Sequence, residues 1–212
     1  MPKEPSRRQE RKAAEREAAE RARRRNANLL RGALIVIVVG VAAFSYRFYT
    51  QRQLLEAVTT TNYPAGQHIS GQIDYKESPP MGGAHNVAWQ NCSIYRVPIH
   101  NEHAVHSLEH GAIWITYRPD LPSDQVKALE SVAADDYMLL SPYPGLSAPV
   151  IASAWNHQIK LDGAADPRLS AFIKEFKNSP QTTPELGAPC VGAISTPATA
   201  DTLVNPQAGM AR

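Results

Sequence analysis

A chain of 212 residues holds one ordinary domain plus tails. Its formal net charge of +2 hides an asymmetry: residues 1–31 carry 11 Lys/Arg against 5 Asp/Glu, a net of +6, whereas residues 32–212 carry 11 against 15, a net of −4. The basic character belongs to the N-terminal tail, and the mildly acidic body excludes nucleic acid as the main partner, since a phosphate-binding domain carries its positive charge on the folded body.

Residues 1–28 read as a basic cytoplasmic tail, rich in Ala, Glu and Arg, in which Glu17 with Arg21 and Glu20 with Arg24 are favourable i,i+4 pairs of a solvated helix. Gly32–Tyr46, GALIVIVVGVAAFSY, has no charge. It is short for a bilayer span, which needs roughly 20 residues. Leu29 and Leu30 extend it on one side, Phe48 and Tyr49 on the other, while Arg31 and Arg47 lie near the ends, where long side chains snorkel to headgroups. A span over 29–49 follows, with an aromatic anchor at Tyr46, Phe48 and Tyr49. Five arginines crowd its N-terminal side (Arg21, Arg23, Arg24, Arg25, Arg31) and two the other (Arg47, Arg52), so the positive-inside bias puts the N-terminus in the cytoplasm and the domain outside. A cleaved signal peptide fits less well, because the segment before the apolar run is too long.

Residues 50–62 read as a polar stalk, and 63–86, with Pro64, Pro79, Pro80 and four glycines, as extended loop. Ser93–Ile99 is a candidate strand; Gly111–Arg118, GAIWITYR, is the strongest one, being β-branched and aromatic. Pro122–Ala134 reads as a helix capped by Ser123, with Val126, Leu129 and Val132/Ala133 on one face. Tyr137–Leu140 and Pro149–Leu161 read as strand, the latter as one long strand or a pair. Asp166 caps a further helix with Pro167 in its first position and an apolar stripe of Leu169, Phe172, Ile173 and Phe176. Residues 195–212 are Ala/Thr/Pro-rich and read as a disordered tail. Mixed elements without a βαβ rhythm indicate a small α+β domain over 63–194.

Cys92 and Cys190, the two cysteines, both lie beyond the apolar run; in an oxidising compartment they pair, the alternative being a thiolate metal ligand. Four of seven histidines, His100, His103, His106 and His110, fall within eleven residues, HNEHAVHSLEH. His106 and His110 are four apart and share a helix face, and His103 can join them. Two imidazoles on one face suit zinc, copper, iron or nickel, and the thioethers of Met81 and Met138 tilt the choice toward copper. His106-Ser-Leu-Glu109-His110 also matches H-x-x-E-H, in which Glu109 serves as the general base of a zinc hydrolase; Gly111 and the strand-like run after it leave little room for the helix such a site uses. His68 and His100 read as capping or core-polar residues.

The blocks SPPMGGAH, NCSIY, VHSLEHGAIWITYRPDLP, LLSPYPGLSAPVIASAW and PQTTPELGAPC resemble the DUF3105 family, membrane-anchored proteins of unestablished function. The resemblance implies His85, His106 and His110 as the principal metal ligands, with His103 weaker, and supports a Cys92–Cys190 bridge. It also favours copper over zinc, because members are often found beside DUF305 proteins, which resemble copper-binding domains. Asn156 stands where the family usually has glycine, and Asn tolerates the same left-handed turn. The expectation is a membrane-anchored extracytoplasmic copper (or zinc) protein that buffers or delivers metal to another envelope metalloprotein or membrane complex. The alternative is an accessory subunit with a structural histidine site.

Overall fold

The computed structural model describes residues 7–198. The expected disordered tail therefore falls almost wholly outside the described residues. Helix α1 runs without a break over Arg7–Leu55. Within it Arg23–Leu55 is long and apolar enough to cross a membrane, and none of its apolar stretch is buried. At 1.5 Å per residue its 33 residues reach about 50 Å, more than a hydrocarbon core requires. Over 50–62 the first residues continue α1, and Thr59–Thr60 forms β1, an edge strand.

The domain that follows is built on one five-stranded sheet in the order β1-β5-β4-β2-β3, with β2 Ile113–Tyr117, β3 Met138–Pro142, β4 Val150–Ala154 and β5 His157–Leu161. Neighbours are antiparallel except β2 and β3, which run parallel in the register Ile113↔Met138 to Tyr117↔Pro142. Helix α3, Ser123–Val132, connects those two, so the domain contains one βαβ crossover that the sequence pattern did not reveal. The α+β class stands. The 149–161 segment is a hairpin, turned at Asn156 with φ 64°.

Every residue of β2, β3 and β4 is buried, so both faces of the sheet are covered. Alternation divides them. Ile113, Ile115, Met138 and Leu140 face a core with Leu129 of α3 and Leu169, Phe172 and Phe176 of α4, Pro167–Phe176. Trp114, Leu139 and Trp155 face a second core with Ala104, Val105 and Leu108 of α2, Asn101–Glu109. Helix α4 starts as expected: Asp166 accepts from the Arg168 N–H at 3.0 Å and Pro167 opens the helix. In α3 the N-cap is Pro122 and Ser123 is already helical, so Ser123 is not the cap.

Residues 61–100 contain no regular strand or helix. The strand expected over Ser93–Ile99 reduces to one bridge, Ile94↔Leu140, whose bonds come from Tyr95 and Leu140 N–H. Pro98 has no N–H to continue a ladder. The segment is tied down in other ways. Cys92 and Cys190 form a disulfide, with Cα atoms 5.3 Å apart, inside the usual range for such a bond. Asn156 does more than turn a hairpin: its side chain accepts from Tyr63 N–H (2.7 Å) and Thr61 Oγ1 (2.9 Å) and donates to Tyr63 O (3.1 Å).

Candidate metal centre

The site grows from two elements. Helix α2 supplies His106 and Glu109, three residues apart and so neighbours on its surface, with His110 one turn beyond His106. The loop supplies His68 and His85, brought side by side by an isolated parallel bridge: Ile69 N–H donates to His85 O (2.8 Å) and His85 N–H to Gln67 O (2.9 Å). Gly66, with φ 71°, turns the chain so that its own N–H donates to Glu109 Oε1 at 2.5 Å.

The imidazoles of His68, His85 and His106 form a nearly equilateral triangle, with centroids 4.8, 4.9 and 4.8 Å apart. Three imidazoles bound through nitrogen to one tetrahedral ion have centroids about 5 Å apart, given metal–nitrogen distances of about 2.0–2.1 Å. Glu109 closes the group, with Oε2 2.9 Å from His85 Nε2 and 3.9 Å from His68 Nε2. One donor atom from each of the four lies within 4.8 Å of the others.

The backbone decides which nitrogen each ring offers. His85 Nδ1 meets Gly83 O at 2.8 Å, His106 Nδ1 meets Asn86 O at 2.7 Å, and His110 Nδ1 meets Pro189 O at 2.7 Å. A carbonyl only accepts, so each Nδ1 carries a proton, and it is Nε2 that can offer a lone pair to an ion. Metal-binding histidines are oriented by such backbone contacts. His85 Nε2 and Glu109 Oε2 are then two buried acceptors 2.9 Å apart, and neither has an aligned hydrogen bond. Such a pair calls for a cation between or beside them, a proton or a metal ion.

His85 and Glu109 are fully buried, His106 is 4% exposed, and the His68 side chain is 36% exposed. Burial drives the His106 pKa down to about 4 despite its bond to Asn86, and His85, His110 and His68 push the same way, so its ring is neutral at ordinary pH. For Glu109 burial works upward, but His85 beside it, the Gly66 N–H and His106 together hold its carboxyl below the usual range.

His110, the next residue, turns to a second group. Its ring is 4.5 Å from that of His106, and its Nε2 lies 3.2 Å from Glu185 Oε2; donor atoms of His106, His110 and Glu185 also lie within 4.8 Å of one another. Trp89 packs on His110 with centroids 4.9 Å apart.

Family membership follows the geometry. Residues 68–192 match the family described as "Protein of unknown function (DUF3105)". The chain belongs to the DUF3105 family. No curated protein and no solved structure matches it. In this DUF3105 chain His85 and His106 meet as expected. His110 stands beside them, joined to their group only through His106. His103 is not brought in: its Nδ1 contacts Ala88 O (2.6 Å) and its ring lies against His100. Met138 belongs to the core on the sheet face opposite Trp155, and Trp155 is the residue whose ring contacts His85, so strand alternation directs the Met138 sulfur away. Met81 is buried, and its carbonyl takes the Asn156 N–H. Glu109 sits within the donor group rather than standing off as a free base. His68, read from sequence as a capping or core residue, is part of the group, and Glu185 went unnoticed. No spacing signals either, although Glu185 lies close before Cys190 in the segment the disulfide holds.

Proposed function

We propose that this protein is a membrane-tethered, extracytoplasmic metal-handling protein in which His68, His85 and His106, through Nε2, and Glu109 hold one divalent transition-metal ion. The observation that carries the reading is the set of backbone carbonyls that hold Nδ1 of His85 and His106 protonated, aiming their Nε2 lone pairs at a space shared with a buried carboxylate. Three nitrogens and an oxygen suit Cu(II) and Zn(II), and an N/O site binds copper more tightly than zinc by the Irving–Williams order. The thioether argument for copper loses Met138, and the nitrogen and oxygen donors favour Cu(II) first and Zn(II) second. The apolar helix and the disulfide support an anchored domain in an oxidising compartment. The anchor raises the effective concentration of the site toward an acceptor in the same membrane, an envelope metalloprotein or a membrane complex.

A second reading has its own support. Three of the four ligands are buried, and an ion there would fasten an irregular loop to α2, as a structural metal in an accessory subunit does. The test uses the full chain in detergent, purified without a tag, loaded with Cu(II) or Zn(II) and freed of excess metal. Elemental analysis should find about one ion per chain in the wild type, and a His85→Ala/His106→Ala variant should hold none. If a chelator then removes the ion within minutes and leaves tryptophan emission and helicity native, the handling reading holds. If removal unfolds the domain, the structural reading replaces it. A wild type that takes up neither metal refutes both.

A further inference from the structure

We propose that His106, His110 and Glu185 form an outer metal site, and that His106, shared with the buried four-ligand site, passes a single ion between the two. The inference rests on the metal-binding reading above. Its geometry is separate, since His110 Nε2 and Glu185 Oε2, 3.2 Å apart, belong to no part of the inner group.

Three observations define the outer site. His110 is 4% exposed in its side chain and its Nδ1 is held by Pro189 O, so its Nε2 is the free donor and is directed at Glu185. Glu185 is 44% exposed, so the outer site ends on a solvent-facing carboxylate; the inner group reaches solvent through His68, while His85 and Glu109 have no exposure at all. The Glu185 N–H also donates to Glu109 O at 3.1 Å, fixing the carboxylate-bearing segment to the end of α2.

The shared ligand dictates how the two sites work together. His106 Nδ1 is committed to Asn86 O, which leaves one lone pair on the ring, and one lone pair binds one ion at a time. The sites are therefore alternatives. An ion moving inward keeps His106 Nε2, releases His110 and Glu185, and gains His68, His85 and Glu109. Each site contributes one carboxylate and otherwise neutral imidazoles, so the ion's charge is offset equally at both ends and the step separates no charge. Donor atoms of both groups lie within 4.8 Å of those of His106, so the displacement is a few ångströms.

Two tryptophans report the two positions. Trp89 packs against His110 (4.9 Å) and, less closely, against the shared His106 (5.7 Å), and Trp155 touches His85 (5.8 Å). The experiment mixes the metal-free full chain in detergent with Co(II) or Cu(II), both fluorescence quenchers, in a stopped-flow instrument, using Trp155→Phe to follow Trp89 and Trp89→Phe to follow Trp155. Quenching of Trp89 is expected to precede that of Trp155, with a final stoichiometry of one ion. Glu185→Gln should slow the Trp155 phase by at least about tenfold and leave the stoichiometry unchanged, because even a hydrogen-bonding partner of a ligand is worth 10–100-fold. His85→Ala and Glu109→Gln, two independent ways of disabling the inner site, should each retain a Trp89 response that His110→Ala removes.

Two ions per chain would overturn the shared ligand. Simultaneous phases, or an unchanged rate in Glu185→Gln, would overturn the relay and leave the inner site standing. Loss of the Trp89 response in both inner-site variants would overturn the outer site. No quenching in the wild type would remove the metal-binding reading and the relay with it.

Discussion

Acid should destabilise the metal-free domain through His106. The folded protein holds this imidazole at a pKa of about 4, against 6.5 for a free ring, chiefly because the ring is buried. A separation of that size corresponds to roughly 3 kcal/mol. The sign follows from where the proton binds: the unfolded chain takes it up near pH 6.5, and the folded chain only near pH 4. Stability is complete above pH 6.5, falls as the pH drops through that interval, and has lost this contribution below pH 4. Glu109 acts in the same direction, but only below the ordinary carboxylate range, so the upper part of the interval belongs to histidine. The assay is guanidinium unfolding of the full chain in detergent with chelator present, followed by tryptophan emission at pH 7 and pH 4.5. The wild type should lose about 2 kcal/mol more than His106→Gln over that range. Parallel pH profiles for the two proteins would refute the argument that burial of this ring couples stability to pH.

Replacing both Cys92 and Cys190 by serine releases a loop with a sequence separation of 98 and should cost about 4–5 kcal/mol; a reducing agent acting on the wild type should give the same fall in unfolding midpoint. Gly111→Ala should cost about 3 kcal/mol in the same assay: φ is +95°, and a Cβ there would lie 2.9 Å from Thr183 Cγ2 and 3.0 Å from the Asn178 Cα, which is backbone and cannot step aside. Asn156→Gly keeps the left-handed turn and loses three side-chain hydrogen bonds, so about 2 kcal/mol should go, with faster amide exchange at Tyr63 as the local sign.

What could be read directly was local. The apolar run, with aromatics and arginines at its ends, specifies a helix long enough for a membrane whatever follows it. Asp166-Pro167 and the stripe after it specify α4, because capping and amphipathicity act within a few residues. The GAIWITYR run specifies a strand for the same reason, and four histidines in eleven residues announced a site. Spacing on α2 put His106 beside His110 and Glu109, and two cysteines beyond one apolar run had few alternatives to pairing.

The tertiary structure decided what depends on distant segments meeting. His68 looks like any surface histidine in the sequence, and it becomes a ligand candidate because one isolated bridge sets it against His85. Glu185 reaches His110 because the disulfided segment passes the end of α2. Met138 leaves the site because the parallel register with β2 fixes which face of the sheet its side chain enters. Ser93–Ile99 has the composition of a strand and pairs at a single point, since a ladder needs a partner edge as well as propensity. Sequence thus set the helices, the strands and the kinds of donor, through forces that act over a few residues. Which donors converge was settled by long-range pairing, burial and the carbonyls that hold each ring, and these exist only once the chain has folded.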